Sequence, residues 1–386
     1  MLKSTISMFE ISPFRKKHIL QILRDSEECT RPADGALGHY FRQHTSIGSK
    51  DRKWISETFY GMIRWLGLID HFSSRPLTPE NRLEVFLKLR PSDHKENVSI
   101  PPHVRVSFPK NFYSLLVQAL GEKKAWEFCL ISNEQAPTTI RANLLKTSRE
   151  ALLERWKEHY PISPCLQSSA GIVFEQRTNF FSMPEFKEGL FEVQDEASQI
   201  AASLIEARPG DHVLDYCSGS GGKTLALAHL LQGKGQIYLH DVRISALEQA
   251  KIRLRRAGIQ NAQLVASDDP KKSSLKEKMD WVFVDAPCSG TGTLRRNPDM
   301  KWKFCEEDLH RLAALQREIF QSALTFAKPA GTVVYATCSV LPQENENQVR
   351  FFEENYGVQL QKAPFSSFPS TGGMDGFFAA VFKKRE

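Results

Sequence analysis

The sequence predicts an α/β fold: a doubly wound parallel sheet from about residue 191, a small α+β unit before it, and a helical N-terminal region. Three observations carry this. After Glu192, short apolar runs alternate with amphipathic helical stretches. A glycine-rich turn, in VLDYCSGSGGKT (Val213 to Thr224), joins one apolar run to a helix. Before residue 135 the apolar spacing is helical.

In the N-terminal region, Ile19, Ile22 and Leu23 share a helix face. From Asp51 to Phe72, Ile55, Phe59, Met62, Ile63, Leu66 and Ile69 form one stripe. Gly61 interrupts it at a cost of about 1 kcal/mol against alanine, so a close helix contact is expected there. Ser73 to Lys110 reads as looser, and helix resumes from Asn111 to Ser132. In the middle unit, Pro137 to Lys146 starts strand-like, Ser148 N-caps a helix to His159, and Gly171 to Gln176 is a strand. The boundaries are read as 1–135, 136–190 and 191–386.

In the last unit, strands are expected at His212–Cys217, Gln236–Val242, Ala262–Ser267, Trp281–Ala286, Thr332–Cys338 and Gly376–Lys383. Helices fall at Leu225–Leu231, Ile244–Ala257, Asp308–Ala327 and Asn345–Asn355, with Gly258 ending the second, and Pro329 and Gly331 closing the third. Ligands of such sheets bind at the C-terminal strand ends.

Composition narrows the class. The 386 residues are 41% hydrophobic and 25% charged, as in globular proteins, and carry a net charge of +6 that mildly favours a polyanionic partner. No apolar run nears the ~18 residues of a membrane helix, and residues 1–10 lack a secretory pattern. Seven cysteines without a CxxC pair argue against a disulfide framework or a zinc site, so no metal is expected and a reducing cytoplasm fits. Cys29, Cys129 and Cys165 read as packing residues.

The glycine-rich turn admits three readings. A Walker A loop fails because Cys217 stands where glycine is required, and a dinucleotide fingerprint is incomplete because Thr224 replaces its last glycine. The third is a methyltransferase loop, with Asp215 as the acidic strand end. Asp241 and Asp268 end the next two strands; the first could bind ribose hydroxyls, the second an adenine amino group. Each alone could merely cap a helix, but three in series suit an adenosine ligand.

Two further strand ends carry cysteine, in VDAPCSGTG (Cys288) and YATCSVLPQEN (Cys338), each entering a polar turn. A thiolate can add to carbon 6 of cytosine and so activate carbon 5 toward an electrophilic methyl. Asp285 can hold the base edge, and Lys223 could lower a thiol pKa or touch the base.

At these residues the sequence resembles the RNA cytosine-5 methyltransferases of the bacterial Sun/Fmu (RsmB) type, related to the nucleolar Nop/Sun group. PTTIRANLLK, GLFEVQDEASQIAA and DYCSGSGGKT are similar to its segments, with Ser220 where it usually has proline; DAPCSGTGTLRRNPDMKW and YATCSVLPQENENQV match it closely. ADGALGHYF and the YGMIRWLGLID run resemble its NusB-like helical RNA-binding domain. The resemblance implies a Rossmann-like, seven-stranded methyltransferase domain and S-adenosylmethionine as cofactor. It implies that Cys338 attacks cytosine, Cys288 helps release product and Asp285 binds the base. The cofactor set it implies is Cys217, Ser218, Gly219, Ser220, Gly221, Gly222 and Lys223, with Asp241, Asp268 and Asp285; Asp269 is an alternative to Asp268. Small-subunit ribosomal RNA is the leading substrate, transfer RNA stays open, and a monomer is expected.

The loop Leu294 to Lys303 adds Arg295, Arg296, Lys301, Lys303 and Trp302, which suit a phosphate backbone and an unstacked base. Lys251, Arg253, Arg255 and Arg256 fit RNA contact or a solvated helix face equally well. A DNA cytosine-5 methyltransferase is disfavoured because, by resemblance, those enzymes lack the second cysteine. A non-catalytic RNA-binding assembly factor is weakly opposed by Cys288, Cys338, Asp285 and Lys223.

Overall fold

The computed structural model describes residues 11–27 and 32–385; the readings of Cys29 and of residues 1–10 lie outside them. The chain divides into two compact units. One comprises the described part of 1–135 together with Leu294–Cys305, and the other holds 136–293 and 306–385.

The first unit is helical. Its longer helices are Pro13–Glu27, Ala33–Gln43, Ser49–Arg64, Pro79–Lys88, Lys110–Leu120 and Glu122–Ser132. The stripe read from the sequence forms much of its core, since Ile55, Phe59, Met62 and Ile69 are all buried. It belongs to two helices, because Trp65 leaves helical geometry (φ −110°, ψ 18°) between Ser49–Arg64 and Leu66–Phe72. At Gly61 an added Cβ would sit 2.7 Å from the Phe86 ring, so the expected close contact is present. The region expected to be loose contains Pro79–Lys88, N-capped by Thr78, whose hydroxyl accepts from Asn81 N at 3.2 Å.

Part of the basic loop departs from its sequence reading, while Lys303 is exposed and Arg296 half-buried. Arg295 and Lys301 are each only 1% exposed. Lys301 donates to Asn133 Oδ1 at 2.6 Å and to the Arg64 carbonyl at 2.7 Å, and lies 4.5 Å from the Phe108 ring centroid. Trp302 Nε1 donates to the Ile63 carbonyl at 2.8 Å, and Phe304 stacks on Phe112. These side chains fasten the segment into the helical unit, where apolar contact and carbonyl acceptors outbid solvent.

The second unit contains two sheets. The smaller has strands β1 (Thr138–Ala142), β2 (Ile162–Pro164), β3 (Gly171–Phe174) and β4 (Phe191–Val193), in antiparallel order β2-β3-β1-β4. Ser148 caps the helix Arg149–Trp156 through a 3.1 Å bond from Ala151 N, and Leu152 and Trp156 pack on Ile140, Ile172 and Phe191.

The larger sheet is built from β5 (His212–Asp215), β6 (Gln236–His240), β7 (Ala262–Val265), β8 (Met279–Asp285), β9 (Ala327–Thr337), β10 (Val358–Leu360), β11 (Phe365–Ser367) and β12 (Phe377–Lys384). Its path is β7-β6-β5-β8-β9-β12-β10, with β11 paired to β12 outside it, so the sheet has eight strands where the sequence located six and the resemblance implied seven. Strands β5 to β9 run parallel along this path and β12 is antiparallel to β9. Val213, Phe283 and Val334 face one core, while Leu214, Val282, Val284 and Tyr335 face the other, so both faces are covered. The long helix ends at Leu324, three residues earlier than expected, because Ala327 to Gly331 join β9.

The turn after β8 is locked to the approach to β12. Gly376 N donates to the Gly292 carbonyl at 2.9 Å, and a Cβ on Gly292 would lie 2.0 Å from the Gly376 oxygen. Backbone on both sides leaves no flexible group to yield. Gly292→Ala is expected to lower unfolding stability by about 2–4 kcal/mol, read from denaturant titration. A curve superimposable on wild type would contradict this packing.

Candidate active site

The parallel strands deliver four carboxylates and three thiols to one edge. Asp215 ends β5 and is fully buried, and its Oδ2 accepts from Thr224 N at 3.1 Å and Thr224 Oγ1 at 2.7 Å. Its Oδ1 has no hydrogen-bond partner among the described residues. Burial pushes the Asp215 carboxyl up to about 6.

The turn after Asp215 is shaped for close approach. Gly221 is left-handed (φ 78°, ψ 22°), and a side chain there would press on Leu239 and Ala250 at 3.3 Å. Ser218 N donates to the His240 carbonyl and Gly219 N to Asp241 Oδ2, at 2.9 and 2.8 Å, which ties the turn to the end of β6. Ser220 takes two bonds from Arg253 Nη1, to its carbonyl at 3.0 Å and its hydroxyl at 2.6 Å. Arg253 and Arg256 also pair with the buried Glu192 of β4. Those two arginines are therefore structural, while Lys251 and Arg255 are exposed. The Gly222 carbonyl accepts from Arg141 and Gln194, at 3.2 and 3.3 Å. Burial pushes the Cys217 thiol up, which keeps it a neutral lining residue.

Asp241 is 6% exposed and accepts from Arg243 N at 2.9 Å and Arg243 Nε at 3.0 Å as well as from Gly219. Burial pushes its carboxyl up, but the bonds from Arg243 and Gly219 outweigh this and hold it below the usual carboxylate range. Past β7 the two adjacent aspartates separate in role. Asp269 Oδ1 accepts from Lys271 N at 2.9 Å and so caps the next turn, whereas Asp268 is exposed and, among the described residues, has no partner.

The two cysteine turns lie past β8 and β9. Lys223 Nζ meets Asp285 Oδ2 at 2.6 Å, with the lysine side chain 8% exposed and the aspartate 30%. Cys288 Sγ lies 3.4 Å from Cys338 Sγ, and both residues are half-buried. The contact with Cys338, and then burial, push the Cys288 thiol well up. By contrast Cys129 and Cys165 are buried among core residues, as packing cysteines would be.

Sequence reading missed the residues that hold these turns. Glu344 accepts from Ser289 N at 2.8 Å, Ser289 Oγ at 2.5 Å and Gln316 Nε2 at 3.0 Å. Asn345 accepts from Thr337 Oγ1 at 2.6 Å and donates to the Ser339 carbonyl at 3.0 Å. A signal existed, since both stand in the polar run after Cys338. Arg141 and Gln194 carried none, because their partner is a backbone carbonyl distant in sequence.

S-adenosylmethionine passes a fit test here. The unpartnered Asp215 Oδ1, the glycine turn and the carboxylates of Asp241 and Asp268 offer acceptors to a cationic, hydroxyl-bearing nucleoside.

Comparison with known proteins finds methyltransferases. The family described as 16S rRNA methyltransferase RsmB/F matches residues 202–383. A ribosomal RNA small subunit methyltransferase B from Vibrio cholerae is 34% identical over 267 residues, covering 66% of this chain and 60% of that protein. The chain thus matches under two thirds of that relative's length. A probable ribosomal RNA small subunit methyltransferase B from Synechocystis is 30% identical over 298 residues, covering 72% of this chain and 67% of that one. A methyltransferase homolog structure from Pyrococcus horikoshii superposes with a TM-score of 0.64 at 27% identity, covering 77% of this chain and all of that one.

The raised Asp215 carboxyl gives a pH test. A carboxylate attracts a cationic cofactor only when ionised, so affinity for S-adenosylmethionine is expected to rise several-fold as pH climbs through about 6. Calorimetric titration from about pH 5 to pH 7.5 reads this. Asp215→Asn should bind more weakly with a flat profile, and a flat wild-type profile would refute the assignment.

Proposed function

The chain belongs to the RsmB/F family of 16S rRNA methyltransferases, and from that premise we propose that it is an RNA cytosine-5 methyltransferase acting on small-subunit ribosomal RNA through Cys338. The observation that carries this reading is the thiol pair, 3.4 Å apart, beside the Lys223–Asp285 ion pair.

S-adenosylmethionine, when bound by Asp215, Asp241, Asp268 and the turn Cys217–Lys223, supplies an electrophilic methyl group. The chain's own residues prepare the base. Cys338 Sγ adds as thiolate to carbon 6 of an unstacked cytosine, forming a C–S bond and making carbon 5 nucleophilic. Asp285 holds the base edge at nitrogen 3 and supports its protonation, while Lys223 keeps that carboxylate in place. After methyl transfer, the carbon 5 proton passes to water, the 5,6 double bond re-forms, and the C–S electron pair returns to Cys338. Cys288, protonated, donates a hydrogen bond to that departing sulfur.

The helical unit, NusB-like by resemblance, is proposed to bind RNA. Arg295 and Lys301 are buried and excluded from that role, while Lys251 and Arg255 of the catalytic unit stay accessible.

The test combines transfer and trapping. With labelled cofactor and unmodified small-subunit RNA, Cys338→Ala should lose about a thousandfold or more in methyl transfer and form no covalent adduct. Cys288→Ala should accumulate a protein–RNA adduct on denaturing gels. If Cys288→Ala abolishes adducts and Cys338→Ala retains them, the roles are reversed and the proposal fails.

A further inference from the structure

Glu344 is a buried carboxylate without a counter-ion. It is 0% exposed, its carboxylate is held by Ser289 and Gln316, and among the described residues no lysine or arginine pairs with it. A charge so placed is expensive and is relieved only by hydrogen bonds. A neutral glutamine could keep part of this bonding, so the charge itself calls for a reason.

The bonds converge on the two cysteine turns. Glu344 grips Ser289, the residue after Cys288. Asn345 grips Thr337 and Ser339, the residues on either side of Cys338. Tyr335 of β9 donates its hydroxyl to the Glu344 carbonyl at 2.8 Å, which fixes the bracket to the strand that leads to Cys338. The carboxylate bonds the residue after Cys288, whereas the neutral Asn345 holds the residues flanking Cys338, so the two turns are held differently.

We propose, resting on the two-cysteine reading above, that Glu344 is the positioning residue that makes the pair asymmetric: it fixes the Cys288 turn and keeps the shared proton on Cys288, which frees Cys338 to attack. The groups facing Cys288 are Cys338, Glu344, Tyr335 and the Gly290 backbone N–H. Of these, Glu344 is the one that is ordinarily an anion at neutral pH. Its charge opposes formation of a second anion nearby, as a like charge does. When product leaves, a Cys288 that has kept its proton can donate to Cys338 Sγ across the 3.4 Å gap.

The test needs neither RNA nor cofactor. In a Cys338→Ser background, alkylation of Cys288 by iodoacetamide is followed against pH by peptide mass spectrometry. The midpoint should lie above about 8.5, the ordinary thiol value. In the same background, Glu344→Gln should lower it by about one pH unit or more, roughly a tenfold faster reaction at a fixed lower pH. Glu344→Asp, which keeps the charge, should stay closer to the parent. An unchanged midpoint in folded Glu344→Gln overturns the proposal. Should Glu344→Gln fail to fold, the parent midpoint decides, and a value at or below about 8.5 overturns it. In the otherwise native chain, Glu344→Gln should raise the trapped RNA adduct several-fold. Loss of methyl transfer in wild type would sink the methyltransferase reading and leave the alkylation result standing, so the two failures are distinguishable.

Discussion

Asp285 on β8 lies opposite Ala336 on β9 in a parallel pair, so the turns leaving the two strands begin side by side. Cys288 and Cys338 are three and two residues beyond that register point. Parallel neighbours present the same end to the same edge, and their thiols therefore meet. A slip of one residue would turn each side chain to the other face and part the pair. The flanking register is held by dense packing of Val282, Val284 and Tyr335 on Phe320 and Phe352. Chemistry at the edge thus rests on a buried apolar core that takes no part in it.

Charge is distributed unevenly over that edge. Lys223 and Asp285 form a close pair, and Asp241 is satisfied by Arg243 and the Gly219 amide. Asp215 and Glu344 are buried, have no paired cation among the described residues, and lean on hydroxyl and amide donors. Burying such groups costs stability unless hydrogen bonds relieve the charge. The two are held differently: Asp215 by Thr224, and Glu344 by Ser289 and Gln316 beside the Cys288 turn.

Much of this was legible because the decisive residues sit in short local patterns. The strand ends at Asp215, Asp241, Asp285 and Cys338 follow from apolar runs that stop at a polar residue, and each lies at the same edge of the large sheet. The small strands Ile162–Pro164, Phe191–Val193, Val358–Leu360 and Phe365–Ser367 were invisible, since three residues carry no period. Pro329 and Gly331 read as helix-closing signals, and they fall in an irregularity of β9 between Ala327 and Thr332, which pair with Met279 and Trp281 of β8. Arg295 and Lys301 of the basic loop misled for a physical reason. A lysine that packs on Phe108 and bonds Asn133 looks, in sequence, the same as one that waits for phosphate. Ser220 shows the converse: where the family usually carries proline, Arg253 reaches across from a neighbouring helix and fastens the turn. No local pattern could reveal that.

The most direct measurement is nucleoside analysis of the product. Small-subunit RNA lacking modification is incubated with the wild-type protein and methyl-labelled cofactor, digested to nucleosides, and resolved by mass spectrometry. The account predicts label in 5-methylcytidine. Label in any other methylated nucleoside, with none in 5-methylcytidine, would contradict it.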